Sequence, residues 1–535
     1  MSGCSLSTYE ALRPLPLSNR ECVPFVLYWA ASRAQGSQSL PTTSDSNGLR
    51  LAELLGALSY ALDLTEGQPP GHCVRCCWIG VHLGEQLGLS EELLRQVYYT
   101  LLLKDVGCSS NAARICELYL TDDIKFKRDF KWVDGSFPQV VKFALANTAL
   151  GAGLVTKIRT ILASLETKDE VSEELIQTRC STGSRTARRL RLGEEVATGV
   201  FHLDEHWNGK GHPEQRAGAE IPIHSRIALL TQVVDVFYGS EGVDGAIAEV
   251  VKRRGTWFDP DLVDALVAMG NDHPMWAMLS SPEIARAVFE LAPGQSEVVV
   301  DDDYLDEIAA AFGEIVDAKS PYTSGHSTRV ALYTDLLAKE LGLDAERRRW
   351  LHRGALLHDV GKLGVSNSIL DKPGKLDAEE WIAIKQHPRY TEEILERIPQ
   401  FDALARVAGA HHERLDGKGY PKGIGADDIT LETRIITTAD VFDAITAERP
   451  YRGAIDPKKA LEMMGETVGT QLDAECFAAL CRVVEQMRKV DEDDQKPLRA
   501  AASTSRPHAG LGLSSTVRTP SVHKNAAKSA FPPST

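Results

Sequence analysis

The residues best suited to chemistry in this chain are histidines and aspartates in two short segments. Residues 358–362 read HDVGK, and the pair His411-His412 runs into DGKGYP at 416–421. Imidazole and carboxylate groups are ligands for Fe, Mn, Zn and similar divalent metals. Two such ions about 3.5 to 4 Å apart can clamp the attacking and leaving oxygens of a phosphoryl displacement. The pattern therefore indicates a metal site able to act on a phosphate ester.

The elements that must hold these residues follow from their spacing. His358 and Asp359 are adjacent in a segment predicted to be helical, and Lys362 lies four residues after His358. This spacing predicts that His358 and Lys362 share a helix face, so that a metal ligand and a phosphate-binding cation point into one cavity. Neighbouring helical side chains diverge by about 100°. The consecutive His411-His412 pair is therefore expected at a helix end or in irregular backbone, which the glycine-rich DGKGYP permits.

From about Asp301 to Arg488 the chain resembles an HD-GYP domain, a branch of the HD phosphohydrolase superfamily. This resemblance implies an all-α fold, a cytoplasmic bacterial enzyme, and hydrolysis of the second messenger cyclic di-GMP to pGpG or onward to GMP. It rests on six motifs in the family's order, which are SPYTSGHSTRV (320–330), GALLHDVGKLGV (354–365), KPGKL (372–376), HP (387–388), HHERLDGKGYPKGI (411–424) and TADVFDAITAERPYR (438–452).

Carried over by position, the resemblance implies a binuclear metal centre. One ion would be held by His326, His358, Asp359 and Asp440, and the other by Asp359, His387, His411 and His412. Asp359 would bridge two divalent ions, with Fe or Mn the expected metals, and a water activated by both would attack the phosphorus. Some family members add a glutamate four residues before the first histidine and bind a third metal, but Tyr322 stands there in this chain.

The same resemblance indicates where the substrate would bind. Lys362 would neutralise a non-bridging phosphate oxygen, because an ammonium group is a compact point charge. Gly419, Tyr420 and Pro421 would shape the substrate end of the pocket. Charge and position make further cations candidates for the remaining phosphate or the bases, with a structural salt bridge as the alternative for the two arginines; these residues are Lys418, Arg449 and Arg452.

A second, degenerate copy of the same unit precedes the first. Residues 67–90 align with 320–344, and 99–108 with 353–362. Across this alignment His72 matches His326, but Lys104 replaces His358, Cys108 replaces Lys362, and Leu203-Asp204 replace the histidine pair, while Asp105 and Asp235 survive. The match to His387 falls near Arg179 or Cys180. A cation in a ligand position repels a metal, so this copy is expected to be a pseudo-domain that packs, dimerises or senses a ligand.

Helical periodicity along both copies predicts two tandem all-α, HD-type bundles, the second carrying the intact dinuclear site. The predicted organisation is a flexible segment at 1–48, the degenerate domain at 49–286, a linker at 287–303, the catalytic domain at 304–490, and a disordered basic tail at 491–535. Cys73, Cys76 and Cys77 are expected to be core residues.

Composition limits the partners. The net charge of −16 disfavours binding to nucleic acid polymers. No apolar run reaches the roughly 18 to 20 residues that a membrane span requires, so neither a membrane partner nor secretion is expected. A homodimer or a signalling protein partner stays open.

The sequence therefore predicts a metal-dependent cyclic di-GMP phosphodiesterase. Two alternatives remain at this point. One is a related phosphohydrolase acting on another nucleotide, such as a hybrid cyclic dinucleotide, since the GYP loop does not separate the two kinds of ring. The other is a non-catalytic cyclic-dinucleotide receptor or scaffold.

Overall fold

The chain folds into α-helices joined by short turns and 3-10 helices, as the periodicity predicts. The structure, a computed structural model, describes residues 49–134, 136–149, 153–166, 168–293, 300–448 and 452–504. Within these ranges the only extended pairings are isolated bridges, such as the one between Asn208 and Ala217. We call residues 49–293 the first half and residues 300–504 the second half; both belong to one compact unit.

The α-helices of the first half are numbered in chain order. They are α1 Leu51–Thr65, α2 His72–Gln86, α3 Glu91–Leu102, α4 Ala112–Tyr119, α5 Asp123–Phe130, α6 Phe137–Asn147, α7 Leu154–Glu166, α8 Lys168–Arg189, α9 Glu194–Phe201, α10 Ile223–Lys252, α11 Pro260–Met269, α12 Pro274–Met278 and α13 Ile284–Glu290.

The second half continues the numbering. Its helices are α14 Asp302–Asp317, α15 His326–Glu340, α16 Ala345–Leu357, α17 Asn367–Leu370, α18 Ala378–Ile384, α19 His387–Leu395, α20 Asp402–Gly409, α21 Leu431–Thr446, α22 Pro457–Gly465 and α23 Ala474–Thr504. A 3-10 helix, Val360–Gly364, lies between α16 and α17.

Helix α14 illustrates why these segments are helical and how they pack. The Asp301 side chain accepts a hydrogen bond from the Tyr304 amide and caps the helix, and two further aspartates occupy its first turn. Both features favour a helix N-terminus. Apolar residues recur along one face, including the buried Ile308 and Phe312. Burying that face stabilises the helix more than its intrinsic propensity does.

The site is positioned by the packing of the second half. Helix α15 packs against α16 and α21, while α19 packs against α20 and against the 3-10 helix Val360–Gly364. Each of these elements carries a predicted ligand, at or near one of its ends except in α21, where Asp440 lies within the helix. Packing of the apolar faces therefore brings polar residues from distant parts of the sequence to one point, as in other metal sites built inside helical bundles.

The two halves also pack on one another through equivalent elements. Helix α1 contacts the 3-10 helix Val360–Gly364 and α19, and α14 contacts α8 and the 3-10 helix Cys108–Asn111. Arg397 lies over the ring of Tyr60, with its guanidinium carbon 3.6 Å from the ring centroid. The three cysteines of α2 are buried, which confirms their expected place in the core.

Several predicted boundaries differ from the observed elements. Helix α13 crosses the boundary predicted at 286, and α23 continues to Thr504 rather than ending at 490. The tail predicted to begin at 491 thus overlaps the last turns of α23, and its disorder stays a prediction. The predicted flexible segment 1–48 and residues 505–535 lie outside the described residues. Among the described helices, none combines the length and the apolar character that crossing a membrane requires.

Candidate metal centre

The HDVGK motif lies where a helix ends, and this corrects one prediction. Helix α16 ends at Leu357 with His358 as its C-cap, and Asp359 precedes the 3-10 helix Val360–Gly364. The segment is therefore not one continuous α-helix. With three residues per 3-10 turn, Lys362 lies next to Asp359 rather than above His358, and its Nζ is 2.5 Å from Asp359 Oδ2.

The His411-His412 pair follows the end of α20, as the argument from diverging side chains predicted. Helix α20 ends at Gly409, and both histidines lie in the turn that follows. The Nδ1 atom of His411 is 2.6 Å from the Ala408 carbonyl oxygen, to which it donates. This bond leaves Nε2 of His411 facing the centre of the bundle. The helix end thus orients the first histidine of the pair.

His326 is the first residue of α15, and its orientation depends on two aspartates. Gly325 before it adopts φ 69°, a left-handed conformation that favours glycine. Asp443 Oδ2 accepts a hydrogen bond from Nδ1 of His326 at 2.7 Å. Asp317 accepts hydrogen bonds from the amide and the hydroxyl of Ser327. The bond to Asp443 fixes the ring and its tautomer, so that Nε2 is available as a ligand, while Asp317 holds the backbone of the next residue.

The two oxygens of Asp359 face two different groups of histidines. Oδ2 lies 3.3 Å from Nε2 of His326 and 3.3 Å from Nε2 of His358. Oδ1 lies 3.4 Å from Nε2 of His387 and 3.6 Å from Nε2 of His411. Asp440 completes the first group, with Oδ1 3.4 Å from Nε2 of His326. The carboxylate of Asp359 therefore stands between the groups.

The structure thus brings together all seven residues that were predicted as ligands. Two compact triads of potential ligand atoms are present, one made of His326, His358 and Asp440 and the other of His387, His411 and His412. We call the two triads together with Asp359 the second-half cluster.

Buried atoms without hydrogen bonds show that this cluster suits a metal. Nε2 of His326, Nε2 of His358 and Oδ1 of Asp359 are buried and have no hydrogen-bond partner. Leaving such atoms unpaired costs about 1 to 3 kcal/mol each. Ligands around an ion at about 2.1 Å stand roughly 3 Å or slightly more apart, close to the separations of the cluster. A divalent cation would satisfy the unpaired atoms, so the donor set fits the predicted metals.

The charge states differ between the two triads. Burial lowers the pKa of His387 to about 3 and that of His411 to about 4, so these imidazoles are neutral, as metal ligation requires. Burial also opposes the charged form of His358, but Asp359 and Asp440 more than offset it and raise its pKa to about 9. Asp359 and Asp440 thus make the first triad favour positive charge, supplied either by a proton or by a metal ion.

The predicted substrate residues are dispersed around the cluster. The Tyr420 ring lies 4.8 Å from the ring of His412, and Lys385 Nζ is 5.4 Å from the centre of the Tyr420 ring. Pro421 follows Tyr420 in a cis peptide bond. Gly419 approaches the backbone so closely that an added Cβ would lie 2.5 Å from the Glu413 Cα and from the Arg414 amide nitrogen.

The remaining candidate cations, Lys418 and Arg452, have different surroundings in the structure. Lys418 is exposed, and its amide donates to Asp416. Arg452 donates from Nη2 to the carbonyl oxygens of Ala444 and Ile445, each at 2.9 Å. These bonds satisfy carbonyls near the end of α21. They are structural contacts, but of a different kind from the salt bridge named as the alternative for this residue. Arg449 lies outside the described residues.

The first half repeats this architecture with different side chains. His72 Nδ1 bonds to Asp235 Oδ2 at 2.7 Å, the same distance as between His326 and Asp443. Asp235 thus matches Asp443, the residue that orients the predicted metal ligand His326. It is not the counterpart of the predicted metal ligand Asp440. Three residues before Asp235, as Asp440 lies three before Asp443, stands Gln232.

The match to His387 is settled by two glycines in equivalent positions. A Cβ added at Gly107 would lie 2.0 Å from the Arg179 carbonyl oxygen, and one at Gly361 would lie 2.0 Å from the His387 carbonyl oxygen. Arg179, rather than Cys180, therefore stands where the second half has His387. The Arg179 guanidinium pairs with Asp204, which aligns with His412.

Ammonium and guanidinium groups occupy the first half where the second half has ligands. Lys104 pairs with Asp105, while Lys131 Nζ lies 3.0 Å from Glu66 and 3.9 Å from Asp105. Burial opposes the charge of Lys104, but the Asp105 carboxylate more than offsets it and holds the Lys104 pKa well above its ordinary value. We call these paired residues the first-half cluster; they are Glu66, Lys104, Asp105, Lys131, Arg179 and Asp204.

Two triads in the first half also bring possible metal ligands together, but cations neutralise both. Glu66, Asp105 and Cys108 form one triad, and His72, Cys76 and Asp235 form the other. Lys104 and Lys131 contact the first triad, and Arg75 Nε lies 2.7 Å from Asp235 in the second. These carboxylates are compensated within the protein.

Sequence reasoning missed the residues that orient the ligands. Asp443 lies three residues after Asp440 in TADVFDAI, so both face the same side of α21. That spacing, together with the equivalent aspartate at 235, was a usable signal. Asp317 gave no such signal, because its partner Ser327 is recognisable only from the fold.

Comparison with known proteins now identifies the family. The family model described as HD domain matches two segments, residues 134–262 and 311–476, one in each half. The chain belongs to the HD domain family, in the HD phosphohydrolase superfamily, and its similar relatives are of the HD-GYP type. The resemblance predicted from the motifs is confirmed.

Two relatives and one solved structure are informative. The chain is 53% identical over 451 residues to 3'3'-cGAMP-specific phosphodiesterase 3 of Vibrio cholerae serotype O1, covering 84% of this chain and 98% of that protein. It is 37% identical over 188 residues to the cyclic di-GMP phosphodiesterase response regulator RpfG of Xanthomonas campestris, covering 34% of this chain and 49% of that protein. The crystal structure of a cyclic GMP-AMP specific phosphodiesterase of V. cholerae, V-cGAP3, matches with a TM-score of 0.58 and 49% identity, covering 82% of this chain and 98% of that chain.

Proposed function

We propose that this protein is a metal-dependent phosphodiesterase that hydrolyses cyclic dinucleotides. The observation that carries the proposal is the position of Asp359, whose two oxygens face two separate groups of histidines at 3.3 to 3.6 Å. A shared carboxylate between two ligand sets is the arrangement that a two-metal phosphoryl site needs.

Two divalent cations, bound by the second-half cluster, would activate a water and stabilise charge on the phosphate oxygens. The protein's own groups then define where the substrate lies. Lys362, with its side chain 18% exposed beside the buried Asp359, offers its ammonium to a non-bridging phosphate oxygen. Burial raises the pKa of Tyr420, so its phenol stays protonated and can donate a hydrogen bond.

We further propose 3'3'-cGAMP as the preferred substrate. The sequence analysis favoured cyclic di-GMP and left a hybrid cyclic dinucleotide as an alternative. One of the relatives named for 3'3'-cGAMP matches over 98% of its length, and two others match over 56% and 28% of theirs. The relatives named for cyclic di-GMP match over about half of their length, such as 49% and 46%. Cyclic di-GMP is therefore the second candidate, supported by identities of 37% and 36% in the matched part.

The same proposal extends to the organisation of the chain. We interpret the two halves as tandem copies of one HD unit, because they share the histidine–aspartate bond, the paired glycines and a match to the family model. In this interpretation the second copy is catalytic and the first is not. A cytoplasmic location follows from the proposed substrate, and a homodimer and a signalling partner stay predictions.

The test compares wild type with Asp359→Ala. Bound metal per chain is measured after purification without chelator, and 3'3'-cGAMP and cyclic di-GMP are supplied separately, with products separated by chromatography. We expect about two metals per wild-type chain and turnover of 3'3'-cGAMP that Asp359→Ala abolishes. Faster turnover of cyclic di-GMP would reverse the order of the substrates. Bound metal with binding but no turnover of either nucleotide would favour a receptor.

A further inference from the structure

One carboxylate of the first half is buried in the second half. Asp123, at the start of α5, is fully buried. Its Oδ1 accepts hydrogen bonds from the Ser366 hydroxyl at 2.9 Å and from the Asn367 amide at 2.8 Å. Its Oδ2 lies 3.4 Å from Lys319 Nζ. Asp123 thus contacts two separate segments of the other half.

Those two segments flank, in the sequence, the part of the second-half cluster that contains His326, His358 and Asp359. Lys319 lies seven residues before the ligand His326, and Ser366 lies four residues after Lys362. A fixed position at each anchor limits the movement of the short connections that carry His326 and Lys362. An anchor that holds both connections can therefore influence both sides of the cluster.

Hydrogen bonds lead from the Lys319 anchor to the ligand. Asn367 Nδ2 donates to the Lys319 carbonyl oxygen at 2.6 Å and to Asp371 at 2.7 Å. Asp371 in turn accepts from the Ser320 hydroxyl, which itself accepts from the Tyr322 amide at 3.2 Å.

The last hydrogen bonds of this path reach the backbone of the predicted ligand His326. The Thr323 hydroxyl lies 3.0 Å from the carbonyl oxygens of both Asp317 and Ser320, either of which it can donate to. The Thr323 carbonyl oxygen accepts from the His326 amide at 2.9 Å. The path from Asp123 to His326 is thus built of direct contacts.

The Lys362 side has a shorter connection. The Val365 amide donates to the Lys362 carbonyl oxygen at 3.0 Å, and the Lys362 amide donates to the Asp359 carbonyl oxygen at 2.8 Å. Ser366 follows Val365 directly and is held by Asp123. Asp123 therefore fixes the end of the 3-10 turn that carries Lys362.

The charged groups around Asp123 indicate that this carboxylate does more than fill space between the halves. The Lys319 side chain is only 1% exposed, so its ammonium depends on a nearby carboxylate. Burial lowers the pKa of Lys319, and Asp123 opposes that shift. Asp123 is also 4.0 Å from Lys127 of its own helix. Removing the Asp123 carboxylate would leave the buried Lys319 ammonium without this partner, at the start of the loop that leads to His326.

We propose that Asp123 is a positioning residue, through which the first half holds the loops bearing His326 and Lys362 in the geometry that binds metal. The inference rests on the proposed function for the identity of the centre. Its effect on metal binding can be measured whether or not the protein hydrolyses a cyclic dinucleotide.

The test uses the full chain, stripped of metal, and titration calorimetry with Mn²⁺. Outer-sphere substitutions typically weaken metal binding by 10- to 100-fold. Asp123 lies further out than such partners, so we expect Asp123→Ala to weaken Mn²⁺ binding about 10-fold. We expect kcat for the cyclic dinucleotide to fall as well, with little change in KM, because the aligned groups and not the substrate pocket are displaced.

Two control variants separate positioning from folding. Asp122→Ala removes the N-cap of the same helix, where Asp122 accepts from the Lys125 amide, and makes no contact to the second half among its described bonds. Arg189→Ala removes an exposed ion pair between the halves, with Glu314. Both should leave Mn²⁺ affinity within about twofold of wild type, since neither lies on a path to the ligands.

Two further variants keep the test decisive. Asp123→Asn retains an oxygen acceptor for Ser366 and Asn367 and should weaken Mn²⁺ binding less than Asp123→Ala. Adding Lys319→Met to Asp123→Ala removes the buried ammonium that has lost its carboxylate. The double variant should recover stability but only part of the Mn²⁺ affinity. Mn²⁺ affinity and kcat equal to wild type in folded Asp123→Ala would overturn the inference. A wild type that binds Mn²⁺ but hydrolyses neither nucleotide would overturn the proposed function alone.

Discussion

Asp105 and Asp359 occupy matching places in the two halves, but different groups surround them. Asp105 contacts Lys104 and Lys131, whereas Asp359 is surrounded by histidines and contacts Lys362. Both carboxylates are buried, and a buried charge requires compensation. The first half supplies that compensation through ion pairs with lysines of its own chain.

The difference shows how one fold can be used with or without a metal. A lysine in place of His358 brings a positive charge on the chain, so a divalent ion at that point would be repelled. In the second half the imidazole nitrogens are neutral or shared with carboxylates, and unpaired buried atoms remain. Of the two clusters, the second-half cluster therefore has both the ligands and the unpaired buried atoms that favour an ion.

The largest difference expected between the halves is in turnover and bound metal, and Asp359→Ala should reveal it. A catalytic metal supplies several kcal/mol of transition-state stabilisation, and each 1.4 kcal/mol corresponds to tenfold in rate. We expect turnover to fall by at least about 10³-fold, with metal lost from the protein. Elemental analysis and product chromatography would measure both quantities. Retained metal with normal turnover would show that Asp359 is not the bridge.

Asp105→Ala should instead act on folding. It leaves the buried Lys104 without its paired carboxylate, while Lys131 keeps Glu66, and breaking such a buried pair costs about 3 to 5 kcal/mol. The free energy of unfolding from urea titration should fall by about that amount, while metal content and turnover per folded molecule stay unchanged. Loss of metal in folded Asp105→Ala would contradict the separation of the two clusters.

Lys362→Met tests the cation that the first half lacks, since Cys108 stands in the matching position. Removing one group that stabilises developing charge typically costs about 100-fold in kcat. We expect a loss of about that size with both metals retained. Lys362→Arg, which keeps the charge, serves as the matched control and should be less impaired. An unchanged kcat for Lys362→Met would remove this residue from the proposed chemistry.

The smallest expected effect is the difference in Mn²⁺ affinity between Asp443→Asn and Asp235→Asn. Asp443 orients a ligand histidine, so its substitution should weaken Mn²⁺ binding by about 10-fold. Asp235 holds His72 in the first half, where no metal is expected, so Asp235→Asn should leave Mn²⁺ affinity unchanged. Titration calorimetry of both variants would measure the contrast. Equal weakening by both would show that the halves bind metal alike.

Some features were predictable from local sequence and others were not. Helical periodicity and the six motifs predicted the all-α fold and the seven residues that meet in the second-half cluster. The turn at His411-His412 followed from the angle between neighbouring helical side chains. The end of α16 at Leu357 was missed, because local spacing did not distinguish a continuing α-helix from a 3-10 turn.

The sequence by itself determined which side chains could bind metal and which positions of the first copy had become cationic, because both depend on residue type and order. The tertiary structure alone decided that Asp235 bonds to His72 as Asp443 bonds to His326, that Arg179 pairs with Asp204, and that Asp123 is buried in the other half. These facts depend on distances between residues far apart in the chain. Such distances are set by helix packing and by the compensation of buried charge, which no local pattern encodes.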